Sequence, residues 1–106
     1  MHDFKWSDSE KKLARRLFDA ALQAELAEVL AELKRQAEAA TTPDAMWDVE
    51  DYLTRRRRDI DQKYDYRYSQ LILVFGWLLR EGRLQPDQFA GLSEEKRAAI
   101  QRFLSF

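Results

Sequence analysis

The chain has 106 residues, of which 45% are hydrophobic and 12% aromatic, which is enough for one folded domain with its own core and argues against disorder. Lys and Arg total 18 against 19 Asp and Glu, so the formal charge of -1 gives no overall attraction to nucleic acid or anionic lipid. Cysteine is absent, which excludes disulfides, thiol catalysis and thiolate metal sites.

The first predicted element is a long helix over residues 8–40. Ser7 and Glu10 have the spacing of a capping box, in which each side chain pairs with the other residue's backbone N–H. Apolar side chains then recur at steps of three and four, so they form one stripe along the helix. They are Leu13, Leu17, Phe18, Leu22, Leu26, Val29, Leu30, Leu33 and Ala37. At 1.5 Å per residue the helix is roughly 50 Å long.

A second long helix is predicted over residues 43–81. Pro43 restricts Thr42 to an extended conformation and itself suits the first turn of a helix. Gly82 can adopt the left-handed conformation that ends one. Tyrosines alternate with charged residues over residues 64–68, which could indicate a strand, but neither a flanking turn nor a pairing strand accompanies them. The sequence therefore favours a continuous helix.

The remaining residues, 83–106, are predicted to form a small helical head together with the end of the second helix. Pro86 starts and Gly91 ends a short helix, and Ser93 caps a last one. Residues 1–106 are therefore expected to form a single all-α domain of two long antiparallel helices and a C-terminal helical head.

Two long helices alone leave much of their apolar surface uncovered. Each large apolar side chain contributes about 1.5–3 kcal/mol when fully buried, so a solvated stripe would forfeit most of the available stabilisation. A second hairpin would complete a four-helix bundle, and two-fold dimers are the commonest soluble oligomers. We therefore expect an antiparallel homodimer. The alternative is a monomer whose C-terminal helices cover the stripe.

The sequence lacks the side chains of the usual catalytic and cofactor sites. The single histidine is His2, no Gly-rich phosphate loop is present, and most carboxylates stand beside Arg or Lys. We expect no enzyme activity, no cofactor and no metal.

The first residues lack the apolar core of a signal peptide, and the run Leu71–Leu79 is too short to span a bilayer. The sequence thus predicts a cytoplasmic protein without a membrane partner.

Four consecutive arginines, residues 55–58, are the most conspicuous charge feature. Asp59 and Asp61 each follow an arginine by four residues, so on a helix they partly neutralise the run. The run is open to three interpretations: a solvated helix face, a nucleic-acid site or a protein interface. Nucleic acid is disfavoured as a partner because no aromatic side chains interleave the arginines as stacking platforms.

Residue types favoured at the centres of protein interfaces occur on the second predicted helix. They are Met46, Trp47, Asp51 and Arg57. Asp51 and Arg57 point in directions about 120° apart on a helix, so they do not easily pair within one chain. In an antiparallel two-fold contact centred near Thr54, Asp51 of one chain would lie opposite Arg57 of the other. The sequence therefore predicts a dimer interface here; the alternative role for Trp47 is to anchor the core of its own hairpin.

A pattern without gaps runs from about residue 45 to residue 104. It consists of Trp47, Asp51-Tyr52-Leu53, Arg57, Asp59-Ile60-Asp61, Lys63-Tyr64-Asp65, Arg67, Ser69, Val74-Phe75, Leu78-Leu79, Glu81-Gly82, Leu92, Lys96 and Ile100. The order and spacing of these residues resemble the fluorescence recovery protein family of cyanobacteria. Members of that family are small helical dimers that bind the photoactivated orange carotenoid protein and speed its return to the resting state.

The resemblance implies an antiparallel dimer with a C-terminal head and a regulatory function in photoprotection, with the orange carotenoid protein as partner. It implies that Trp47, Asp51 and Arg57 occupy positions used for the dimer contact and for activity. The partner-binding positions that it implies are Glu50, Arg57, Leu73 and Ala99.

The sequence departs from the family pattern at four positions. Glu50 stands where His is expected, Asp48 and Ala99 where Lys is expected, and Leu73 where Phe is expected. Several of these positions belong to the implied partner-binding surface. The departures therefore keep an alternative open: a family-like helical dimer, independent of the orange carotenoid protein, that binds another client or acts as a chaperone.

Overall fold

The computed structural model describes residues 4–105, which form four α-helices and two short 3₁₀ turns, with no strand within that range. The α-helices are α1 (Asp8–Ala39), α2 (Pro43–Lys63), α3 (Leu71–Arg80) and α4 (Glu94–Gln101), and the 3₁₀ turns span Pro86–Phe89 and Arg102–Ser105. The all-helical prediction is confirmed. His2 lies outside the described residues.

Both long helices begin where the sequence predicts. At the start of α1, the backbone N–H of Glu10 donates to Ser7 Oγ at 3.2 Å, and the Ser7 N–H donates to Glu10 Oε1 at 3.0 Å. At the start of α2, Thr42 Oγ1 accepts from the Ala45 N–H at 3.1 Å, and Pro43 occupies the first helical position. Two side-chain caps and a three-residue link therefore define the hairpin of α1 and α2.

The prediction of one continuous helix over residues 43–81 is wrong. α2 ends at Lys63, residues 64–67 are not helical, and a turn over residues 68–70 precedes α3. Tyr64 has φ -93° and ψ 78°, outside the helical region. The chain therefore changes direction here, and α3 joins the head rather than extending the hairpin.

Aromatic packing explains the break. Alternate residues of an extended segment point to the same side, whereas on a helix residues two apart diverge by about 200°. Tyr64 and Tyr66 both pack edge-on against Phe18 of α1, with ring centroids 5.4 and 4.9 Å away. Tyr68 continues the row, 5.9 Å from Trp6. The tyrosine alternation is thus the signature of a segment lying along α1.

The head contains the core of the molecule. It is built from the first half of α1, from α3 and from α4, with Leu71, Phe75, Leu78 and Ile100 completely buried at its centre. Gly82 closes α3 with φ 77°, as the sequence predicts. α4 packs back on α3, and the chain continues past it as a 3₁₀ turn that also contacts α3.

The molecule is elongated, with extents of 53 × 23 × 22 Å and a radius of gyration of 16.8 Å. A compact domain of this length would have a radius of gyration of about 13 Å. The excess comes from the part of the hairpin that projects beyond the head, residues 26–58, which we call the distal hairpin.

Candidate protein-binding surfaces

The distal hairpin has no core of its own, because none of its residues is buried. The head covers the first half of the α1 stripe, including Leu17 and Phe18, but it leaves Leu26 40% and Leu30 51% exposed. The alternative of a monomer whose C-terminal helices cover the stripe therefore accounts for only half of it.

Two of the predicted interface residues add to this apolar surface. Met46 is 51% and Trp47 56% exposed. Met46 also lines a cavity of about 480 Å³ beside the turn of the hairpin, with Val49 and Pro43 among its other walls. Trp47 is too exposed to anchor the core of its own hairpin, so the interface role predicted for it is favoured.

Asp51 and Arg57 are both exposed on α2, and they do not pair with each other, as their spacing predicts. The Arg57 side chain is 86% exposed, and its Nε lies 3.8 Å from Asp61 Oδ2. Within residues 4–105, Asp51 forms no ion pair. Both groups are therefore available to a second chain, and their pairing across a dimer stays a prediction.

The four arginines have different environments. Arg56 turns inward, and its Nη2 donates to Glu25 Oε2 at 2.7 Å. Arg55, Arg57 and Arg58 are exposed. Because one of the four is used in a buried ion pair, the run is not a continuous basic face, which disfavours the nucleic-acid interpretation further.

Glu25 is the centre of a buried ionic cluster that the sequence reasoning missed. Its carboxylate is 1% exposed and lies within 2.7 Å of Arg56 and of Lys63, 2.8 Å of the Tyr64 hydroxyl and 3.3 Å of Arg83. Burial alone would raise the pKa of Glu25, but hydrogen bonds from its three closest donors outweigh that effect and lower the pKa from 4.5 to about 2.

This cluster ties the hairpin to the head. Lys63 and Tyr64 stand where α2 ends, Arg83 follows α3, and all three converge on the middle of α1. A signal for Glu25 was present in the sequence, because it follows Ala21 by four residues and so falls on the apolar face of α1. A carboxylate on such a face indicates buried cationic partners.

A second buried ion pair fixes the segment just before α1, at Lys5, to the head. Lys96 is 4% exposed; its Nζ lies 3.1 Å from Glu10 Oε1 and donates to the Lys5 carbonyl at 2.6 Å. The second oxygen of Glu10 accepts from the Ser93 N–H at 2.8 Å. Burial tends to raise the pKa of Glu10, yet these bonds and its own helix cap leave it lowered.

The head carries an exposed apolar concavity, which we call the head cavity. It has a volume of about 270 Å³ and lies between the end of α2 and the outer face of α3. Its lining consists of Asp59, Gln62, Lys63, Asp65, Gln70, Leu73, Val74, Trp77 and Glu81. Leu73 and Trp77, 44% and 43% exposed, are the largest apolar groups that it presents to solvent.

The structure separates the four partner-binding positions into two groups. Leu73 lines the head cavity, and Ala99 is half-buried on α4. Glu50 and Arg57 are exposed on the distal hairpin. Trp77 and Asp59 of the head cavity were not among the predicted site residues, because Trp77 falls within the apolar run of α3 and Asp59 beside the arginines, where each resembles ordinary structure.

Within residues 4–105, no group of acidic or histidine side chains is arranged to hold a metal ion. None of the described helices combines the length and the apolar character needed to cross a membrane.

Comparisons with known proteins cover nearly the whole chain. Residues 6–104 match the family described as the photoprotection regulator fluorescence recovery protein. A curated relative, the fluorescence recovery protein of Synechocystis sp. PCC 6803, is 40% identical over 95 residues, which are 90% of this chain and 87% of that protein.

Solved structures agree with the sequence match. The fluorescence recovery proteins of Fremyella diplosiphon and of Synechocystis sp. PCC 6803 superpose with TM-scores of 0.91 at 30% and 37% identity. Both matches cover 96% of this chain and all of the other chain. The similarity therefore includes the hairpin and the head together.

Proposed function

The chain belongs to the fluorescence recovery protein family of photoprotection regulators, and from this premise we propose that it binds the photoactivated orange carotenoid protein and accelerates its return to the resting state. The observation that carries the proposal is the match over residues 6–104, which includes the hairpin and the head. We propose further that the protein acts in the cytoplasm, without catalysis and without a cofactor.

The mechanism requires only differential binding. A ligand shifts a conformational equilibrium according to the difference between its affinities for the two states. It speeds the conversion when it binds the transition state more tightly than the starting state. The head cavity and the exposed face of the distal hairpin can supply such contacts without any covalent step. Neither surface needs a titrating or nucleophilic group for this purpose.

The acting unit in this proposal is an antiparallel homodimer. The absence of buried residues in the distal hairpin supports it, because a second hairpin would cover Leu26, Leu30, Met46 and Trp47. The resulting four-helix arrangement would leave the two heads free at its ends to engage the client.

The test is the recovery of photoactivated orange carotenoid protein in the dark, followed by its absorbance with and without this chain. We expect faster recovery and co-elution of the two proteins in size-exclusion chromatography. An unchanged recovery rate together with separate elution would overturn the proposal.

A second candidate function rests on the exposed Leu73, which replaces the larger Phe expected from the family pattern, and on Glu50 and Ala99, which replace basic groups. The smaller apolar area of Leu73, and the loss of basic groups at positions 50 and 99, favour a different client or a chaperone activity. Suppressed aggregation of reduced α-lactalbumin, combined with no effect on the orange carotenoid protein, would support this second function.

A further inference from the structure

The head cavity combines an apolar floor with an acidic rim. Leu73, Val74 and Trp77 form the apolar part, and the carboxylates of Asp59, Asp65 and Glu81 stand around it. An apolar partner surface would contact the floor but would not pair with the negative charges of the rim. The charge of the rim therefore decides what kind of group fits.

Two of the three rim carboxylates have cationic partners within 3.0 Å. Asp65 accepts hydrogen bonds from Arg67 Nε at 2.9 and 3.0 Å. Glu81 lies 2.8 Å from Lys63 Nζ and 3.0 Å from Arg83 Nε. Their charges are therefore largely neutralised within the chain.

Lys63 is the cation among the lining residues, and its charge is likewise matched. Its Nζ lies between Glu25 and Glu81, 2.7 Å from Glu25 Oε1 and 2.8 Å from Glu81 Oε1. The Lys63 side chain is 15% exposed, so it presents little of its charge to an incoming group.

Asp59 differs from the other two carboxylates. Its Oδ2 is 3.8 Å from Arg56 Nη1, and that arginine donates to the buried Glu25 at 2.7 Å through its other terminal nitrogen. The Asp59 side chain is 60% exposed. Asp59 is therefore the rim carboxylate whose charge is least neutralised, because Arg56 lies 3.8 Å away and also pairs with Glu25.

Trp77 offers the complementary feature of an aromatic surface. Trp77 is 43% exposed, and the guanidinium carbon of Arg80 lies 5.8 Å from its ring centroid, within the range of a cation–π contact. A planar guanidinium binds a carboxylate through two parallel hydrogen bonds and stacks on aromatic rings, which an ammonium group does less well.

We propose that the head cavity binds an arginine side chain of the partner protein, with its guanidinium between Asp59 and Trp77 and a neighbouring apolar residue of the partner on Leu73 and Val74. The proposal rests on the proposed function in taking a protein client as the source of that arginine. It specifies the chemistry that the client must present to the head.

The test uses the full chain labelled with ¹⁵N and follows the indole N–H resonances of its three tryptophans. The probe is the peptide acetyl-Leu-Arg-Leu-amide, and its neutral counterpart has citrulline in place of arginine. We expect the arginine peptide to shift the Trp77 resonance in a saturable way, at least fivefold more tightly than the citrulline peptide. Trp6 and Trp47, which lie outside the cavity lining, serve as internal references.

Two variants with the same change of charge complete the test. Asp59→Asn should weaken binding of the arginine peptide at least threefold. Asp19→Asn removes a carboxylate of similar exposure, which lies 3.5 Å from Arg15 on α1, and should leave binding unchanged. Equal affinity for the two peptides, or no saturable shift at Trp77, would overturn the assignment.

The outcome is separable from that of the proposed function. If the arginine peptide binds through Asp59 but the orange carotenoid protein recovers at its unassisted rate, the cavity assignment stands and the proposed function fails. If the wild-type chain and Asp59→Asn accelerate recovery equally and the peptide does not bind, the cavity assignment fails and the proposed function stands.

Discussion

The hydroxyl of Tyr64 donates a 2.8 Å hydrogen bond to Glu25 Oε1, which lies 39 positions earlier in the chain. The bond joins the residue at which α2 ends to the middle of α1. Burial and this bond to a carboxylate both raise the pKa of Tyr64, so the hydroxyl keeps its proton and remains a donor. Hairpin and head are thus connected through one carboxylate.

Glu25→Gln should lower the free energy of unfolding by about 3 kcal/mol, because it removes the negative charge that compensates the partly buried Arg56 and Lys63. Urea denaturation at neutral pH, under conditions where the oligomeric state is the same for both proteins, measures the change. The matched control is Glu38→Gln at an exposed position further along α1, which should be nearly neutral. Equal stability of the two variants would contradict the role of the cluster.

The same carboxylate should make stability depend on acid pH. Its folded pKa of about 2 lies below the ordinary 4.5, so its contribution is complete above pH 4.5 and is lost as the pH falls toward 2. The shift corresponds to about 3 kcal/mol. Comparing urea unfolding of wild type and Glu25→Gln at pH 6 and pH 3 isolates this group from other carboxylates. The difference between the two proteins should shrink at pH 3; a constant difference would count against the lowered pKa.

Much of the fold is predictable because it depends on local signals. The cap at Ser7, the helix start at Pro43 and the left-handed Gly82 act within a few residues, and each is found where the sequence indicates it. The break after Lys63 is different. It arises because Tyr64 and Tyr66 pack on Phe18, at least 46 positions earlier in the chain, and local propensity does not encode such a contact.

The candidate surfaces likewise include one part that the sequence predicts and one part that depends on tertiary contacts. The sequence predicts Met46, Trp47, Asp51 and Arg57 as interface residues from their types, and all four are exposed in the single chain. The head cavity could not be anticipated, because it forms only where the end of α2 and the outer face of α3 meet after the unforeseen turn. Its chemistry depends on which carboxylates are paired, and pairing is a property of the tertiary structure.

Gly76→Ala should destabilise the head. A β-carbon at position 76 would overlap the ring of Phe103, so the added methyl group must displace the C-terminal 3₁₀ turn from α3. We expect a loss of about 1–3 kcal/mol, as for other overpacked sites. Phe103→Leu in the same chain should recover part of the loss. Thermal unfolding of both single variants and the double variant decides the matter: a more stable Gly76→Ala protein would mean that helix propensity outweighs the overlap.

Met46→Glu and Trp47→Glu should each shift the protein from dimer to monomer at micromolar concentration while leaving its helicity intact. Both side chains are more than half exposed in the single chain, so a carboxylate there costs nothing to the protomer but would be buried in the dimer. Light scattering coupled to size-exclusion chromatography gives the mass, and circular dichroism gives the helicity. Gln101→Glu, an exposed change in the head, should remain dimeric.

Asp51 and Arg57 give a sharper test of the antiparallel arrangement. Asp51→Arg alone would place like charges opposite each other twice in a two-fold dimer, as would Arg57→Asp, so each should weaken association at least tenfold. The double variant restores opposite charges and should recover most of the affinity, since neither residue pairs with the other within its own chain. Dissociation constants from sedimentation equilibrium at low and high salt measure the coupling, which should diminish with salt. Additive losses in the double variant would show that the two side chains do not meet across the dimer, and the interface would then have to lie elsewhere on the hairpin.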